Sequence, residues 1–273
     1  MNVSAPSMAK PLSMRGLAKQ YATVDGRVVE ALLPIDLDIA PGEFLVVVGP
    51  SGCGKSTLLS ILAGLTQPSA GEARVGGTLV TGPDIDRGMV FQDYALFPWL
   101  SVIGNVEFGL ERKGVPRPER RETAMRYLDM VGLASFAEKR PHELSGGMKQ
   151  RVAIARTFAT EPSIIFMDEP FGALDALTRR YLQHELLRIW QQHRKTVVFI
   201  THSVVEAIYL ADRIVLMTAR PGRIKTVIPI ALPHPRDPTF DEFRVIERQV
   251  YADLDEELVK TFRAEGRDPG GPL

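Results

Sequence analysis

Short apolar runs separated by glycine-rich turns dominate the first ninety residues. Leu12–Ile39 alternates in β-like fashion around Asp25-Gly26, a turn signal. Pro41-Gly42-Glu43 then turns the chain into Phe44–Val48, a continuous apolar, β-branched run expected of a strand buried on both faces. Lys55–Ala63 reads as a helix closed by Gly64, and residues 65–92 return to short strands and turns. Residues 93–158 are mostly helical in pattern, with Ala124, Tyr127, Leu128, Val131 and Leu133 forming one apolar stripe. Ile164–Met167, Thr196–Ile200 and Ile214–Met217 read as further buried strands, alternating with helices over Leu177–His193 and Val204–Leu210. Such alternation predicts an α/β fold around a parallel sheet. Beyond Pro229 a proline-rich linker, PHPRDP, precedes an amphipathic helix marked by Phe243, Ile246, Val250, Leu254 and Leu258. Residues 1–11 are polar and expected to be disordered.

Composition narrows this picture modestly. The apolar share of 45% suits a chain that buries a core. Equal numbers of basic and acidic residues, 33 each, argue against a general nucleic-acid binder. A single cysteine allows no internal disulfide and fits a reducing compartment. No apolar run approaches the length of a membrane span, so work at a membrane would require a partner to hold the chain there.

Chemistry enters at Gly49-Pro50-Ser51-Gly52-Cys53-Gly54-Lys55-Ser56, which fits G-x-x-x-x-G-K-[ST], the Walker A pattern, between a strand and a helix. The glycines let successive backbone N–H groups converge on an anion, and the following helix start adds unpaired N–H groups and its dipole. Lys55 supplies a full positive charge toward β- and γ-phosphates, and the hydroxyl of Ser56, next to Thr57, can ligate Mg²⁺. Cys53 sits at a variable position of the pattern, where a small residue is tolerated. A second acidic element lies at the end of Ile164–Met167: Asp168 suits Mg²⁺ and Glu169 suits polarisation of an attacking water. His202 follows another buried strand, as a polar cap or as a group that reaches a γ-phosphate.

Leu144–Arg151, LSGGMKQR, resembles the signature motif of ATP-binding-cassette (ABC) ATPases, with Met148 where that family most often has glutamine. Other elements resemble the family in order: Tyr21 the aromatic that stacks on adenine, Gln92 the Q-loop glutamine, Gly172–Asp175 the D-loop and His202 the switch histidine. The resemblance spans about residues 12–230. It implies a P-loop NTPase with a RecA-like core, an antiparallel β lobe and an inserted helical subdomain near 93–158, followed by a C-terminal linker and helix over 231–273. It also implies two cassettes packed head to tail, each ATP held by Gly49–Thr57 of one chain and by Ser145, Gly146 and Gly147 of the other, with Asp175 communicating across the dimer. Lys55, Gln92, Glu169 and His202 are the expected catalytic set; Ser56, Gln92 and Asp168 are expected to order Mg²⁺.

Segments such as VFQDYALFPWLSVIGNVEFGL, DEPFGALDALTR and ARPGRI look like the nitrate/sulfonate/taurine branch of bacterial importers. That implies a peripheral subunit on the cytoplasmic face of the bacterial plasma membrane, with a permease whose coupling helix meets Gln92–Trp99, and indirectly a solute-binding protein. Internal packing is the plainer reading for about half of those side chains. A soluble ABC ATPase of DNA repair or translation is the alternative, with no nucleic-acid partner expected under the leading reading.

Overall fold

The computed structural model describes residues 8–172 and 174–264. In chain order the elements are β1 (Leu12–Ala22), β2 (Val28–Ile39), β3 (Phe44–Val48), α1 (Lys55–Ala63), β4 (Ala70–Val75), β5 (Thr78–Leu79), β6 (Arg87–Val90), α2 (Val102–Arg112), α3 (Arg117–Met130), α4 (Gly146–Ala159), β7 (Ile164–Asp168), α5 (Ala176–His193), β8 (Thr196–Ile200), α6 (Val204–Leu210), β9 (Arg213–Met217), β10 (Ile224–Pro229) and α7 (Asp241–Ala264). The described residues form two compact units: 84–197 with 8–10, and 11–83 with 198–264.

The unit containing residues 11–83 and the C-terminal part holds an antiparallel sheet in the order β2-β1-β4-β5. It also holds β3, paired parallel with β9, whose other neighbour is the antiparallel edge strand β10. Every residue of β3 is buried, as an unbroken apolar run requires. Helix α1 ends where the sequence indicates, on Gly64 at φ 82°, because a left-handed residue lets the cap N–H reach the last carbonyls. The expected linker after Pro229 is anchored by Arg236, a buried guanidinium that donates to the carbonyls of Ile208 and Ala211 at the end of α6, and to those of Ile230 and Leu232. Helix α7 follows; of its five predicted apolar positions Phe243 and Val250 are buried, while Ile246, Leu254 and Leu258 are half-buried.

In the other unit β6 pairs parallel with β7, and α2, α3 and α4 pack against one another. The apolar stripe of α3 needs correction. Ala124, Tyr127 and Leu128 lie on the helix, but Val131 and Leu133 fall beyond its end at Met130. Gly132, at φ 68°, breaks the helix while both neighbours stay buried, so burial continues after the periodicity has stopped. Lys10, inside the segment expected to be disordered, donates to Asp86 at 2.7 Å and accepts from Thr196 Oγ1; residues 1–7 lie outside the described residues. Among the described residues, no helix is long and apolar enough to cross a membrane.

Candidate functional site

The Walker A segment runs from the buried end of β3 directly into α1. Gly52 (φ 74°) and Gly54 (φ 94°) take left-handed conformations that a side chain would strain. Crowding adds a second reason at Gly54: a Cβ there would meet Leu32 Cδ2 at 2.6 Å and the Ala31 carbonyl at 2.8 Å. No side chain caps the start of α1, which leaves the first-turn N–H groups available to an anion. Lys55 is buried, its ammonium donating to the carbonyls of Gly49 and Pro50, both at 2.8 Å. The loop thus curls around its own cation. Ser51 and Ser56 are exposed, and Thr57 is half-buried. Cys53 is fully buried, and burial pushes its thiol above the ordinary range despite Lys55 nearby, so it is no reactive thiolate.

In the same unit Thr201, just past β8, donates its N–H to the Val47 carbonyl, which sets the ends of β8 and β3 side by side. His202 is therefore exposed at the strand edge from which the phosphate loop springs. Ser203 caps α6, accepting from the Glu206 N–H. Tyr21 stands near the end of β1, 42% exposed, with the Lys19 ammonium 4.9 Å from its ring centre.

The other unit gathers the remaining candidates. Asp168 is the last, buried residue of β7; Glu169 follows at φ 46°, a left-handed backbone that is uncommon outside glycine and concentrates at functional sites. Its carbonyl accepts from the Gly172 N–H, closing the turn. Asp175 accepts from the Thr178 N–H and so caps α5; that bond holds its carboxyl below the usual range. The D-loop expectation includes Ala173, which lies outside the described residues. In the signature, Ser145 caps α4 by accepting from the Met148 N–H at 3.3 Å, leaving Gly146 and Gly147 in the first turn. Gln92 is exposed at the head of an irregular segment in which Tyr94 and Ala95 are also left-handed. The Tyr94 hydroxyl lies 3.0 Å from where a Cβ on Gly146 would stand, so this segment and the signature helix meet.

Two residues that hold the Gln92–Leu100 segment escaped the sequence reading. Asn105, fully buried on α2, exchanges hydrogen bonds with the N–H and carbonyl of Phe97. Arg156, on α4, donates to the carbonyls of Tyr94 and Ala95; burial lowers its guanidinium to about 10, so it stays charged at neutral pH. Trp99 remains 67% exposed on this segment.

A glycine loop between a buried strand and an uncapped helix start is the phosphate-loop arrangement of P-loop NTPases. The sequence profile described as ABC transporter matches residues 32–172, and the chain belongs to that family of ATP-binding, ATP-hydrolysing cassettes. It is 51% identical to a taurine import ATP-binding protein of Roseobacter denitrificans over 213 residues, 78% of this chain and 80% of that one. It is 47% identical to a nitrate import ATP-binding protein of Synechocystis over 258 residues, 93% of this chain and 97% of that one. A solved dimeric cassette in a post-hydrolysis state, bound to ADP and phosphate, is similar at TM-score 0.75 and 34% identity, covering 81% of this chain and all of that one.

Proposed function

We propose that this chain energises import of a small solute of the nitrate, sulfonate or taurine type, working as one of two cassettes beneath a membrane permease. The observation that carries the reading is the phosphate loop: an uncapped helix start, two left-handed glycines and a buried lysine coordinated by its own loop. The names of the relatives add the direction of transport, and run against the alternative in DNA repair or translation.

In this reading the N–H groups of Gly49–Thr57 and Lys55 bind the phosphates of ATP. Ser145, Gly146 and Gly147 of a second copy offer the facing anion site, since α4 begins on a serine followed by two glycines in its first turn. Tyr21 stacks on the adenine. Glu169 accepts a proton from the attacking water, while His202 and Lys55 hold the charge that develops on the γ-phosphate. Ser56, Gln92 and Asp168 carry a hydroxyl, a carboxamide and a carboxylate, hard oxygen donors that would suit Mg²⁺. When bound, Mg²⁺ neutralises phosphate charge. ATP bridges the two copies, and loss of its γ-phosphate removes the shared contacts, so hydrolysis reopens the pair. The Gln92–Trp99 segment, on which Gln92, Pro98 and Trp99 are exposed, receives the permease at the cytoplasmic face of the membrane, and a solute-binding protein delivers cargo from the other side.

The test uses purified full chain with Mg·ATP. Glu169→Gln should bind ATP, release little phosphate and run as a dimer in gel filtration, while Lys55→Ala should fail to bind. Wild-type phosphate release from Glu169→Gln would remove that residue from the mechanism, and a chain that stays monomeric with its permease supplied would refute the paired site.

A further inference from the structure

We propose that Arg220 is a positioning residue for the phosphate loop, and that helix α7 sets its placement through Glu257. The inference rests on the reading of Gly49–Thr57 as that loop. Strands β9 and β10 are joined by residues 218–223, which fold onto themselves: the Thr218 N–H donates to the Arg223 carbonyl at 2.9 Å, and the Thr218 hydroxyl bonds Pro221 and Arg223. This compact turn is fastened to β2, where the Gly222 N–H donates to Ala31 and its carbonyl accepts from Leu33.

From that base the turn reaches the outer side of the phosphate loop at two successive carbonyls. Arg220 Nε donates to the Gly52 carbonyl at 3.2 Å. Gly222 packs so closely on Cys53 that a Cβ would lie 1.9 Å from the Cys53 oxygen. Peptide planes are rigid and trans, so a carbonyl fixed outward turns the next N–H to the opposite face. The direction of successive N–H groups is what makes a nest bind anions. Arg220 and Gly222 thereby orient the N–H groups of Cys53 and Gly54 from behind; the Cys53 N–H is turned to the Pro50 carbonyl of the same loop, at 3.4 Å.

The turn is in turn held from its far side. Glu257, on α7, accepts from the Ala219 N–H at 3.0 Å, one residue before Arg220. Its carboxylate is almost fully buried, yet charged partners surround it: Lys260 at 2.6 Å and Lys225 at 3.5 Å. Lys225 also pairs with Glu256 at 2.6 Å. A buried acid at this position is costly unless its oxygens are paired: Oε2 takes the Ala219 N–H of the turn, while Oε1 meets Lys260 of its own helix and Lys225 of β10. The C-terminal helix is thus linked to the phosphate loop through one turn and one arginine.

Equilibrium ATP binding and steady-state turnover of the full chain test this. Losing a charged donor to a backbone carbonyl should raise the Kd and KM for ATP of Arg220→Ala about tenfold. Its kcat at saturating ATP and its melting temperature should stay near wild type, because Arg220 is exposed and acts through the Gly52 backbone carbonyl. Glu257→Leu should weaken ATP binding to a lesser degree, and Glu257→Gln, which keeps an acceptor for Ala219, should restore it. The double variant Arg220→Ala, Glu257→Leu should bind no worse than Arg220→Ala alone, since both act through one contact. Unchanged ATP affinity in Arg220→Ala, or fully multiplicative effects in the double variant, would overturn the proposal. Lys55→Ala separates the two levels: if it binds ATP as wild type does, the reading of the loop itself falls.

Discussion

Substituting alanine at Gly54 and at Gly77 separates backbone strain from crowding at the phosphate loop. Both glycines are left-handed, at φ 94° and 82°, but only Gly54 is hemmed in; nothing lies within 4 Å of a Cβ on Gly77. Forcing alanine into this region costs about 1–2 kcal/mol, and its stiffer unfolded chain returns about 0.4–1 kcal/mol. Gly77→Ala should therefore lose roughly 1 kcal/mol, about 2–4 °C in melting temperature. Gly54→Ala carries the same strain and also drives a methyl against Leu32 and the Ala31 carbonyl. That carbonyl cannot yield, because it accepts the Gly222 N–H at 3.1 Å. Overpacking adds about 1–3 kcal/mol, so Gly54→Ala should melt roughly 4–16 °C below wild type and lose ATP binding, which Gly77→Ala keeps. Thermal melts read by circular dichroism, with and without Mg·ATP, give both quantities. Equal shifts for the two variants would show that the loop relaxes around the methyl, and would refute the crowding argument.

Ser145→Ala removes the side-chain cap of α4 and should cost about 1 kcal/mol; ATP-dependent dimerisation by gel filtration should fall more than ATP binding by the monomer, and equal losses would deny the signature its facing role. The stability that Glu257 contributes is pH-dependent. Burial alone would raise its carboxyl, but Lys260, the Ala219 N–H and Lys225 together hold it below the ordinary value. A depressed folded pKa means the contribution is complete above the ordinary carboxylate range and is lost as pH falls through the folded value. The difference in urea midpoint between wild type and Glu257→Gln should thus shrink between pH 7 and pH 4; a constant difference would show that charge at Glu257 plays no part.

The P-loop fold was legible because phosphate binding demands residue types in a fixed order between a strand and a helix. Strand β3 could be read because burial on both faces leaves no alternation, and α1 because Gly64 can take the left-handed cap. Strand β10 was missed for the opposite reason: Ile224–Pro229 is mostly half-buried and carries a lysine and a terminal proline. Glu257 did leave a signal. It falls seven residues after Val250 and fourteen after Phe243, on the buried stripe of α7, where an acid is out of place unless something binds it.

The supports of the site were hidden for a common physical reason. Arg156 holds Tyr94 and Ala95, Asn105 holds Phe97, Arg179 holds Phe171 and Leu174, and Arg220 holds Gly52, in each case through backbone groups. A backbone carbonyl is the same whichever residue bears it, so these contacts impose no matching residue type on the other side. A pattern search sees motif residues because a ligand selects them, and overlooks their braces because peptide groups select nothing. Irregular segments such as Gln92–Leu100 still need those braces, since their carbonyls have no ladder to join. An arginine or asparagine buried beside a motif is therefore where the next such support would be sought, by asking which loop carbonyls would otherwise go unpaired.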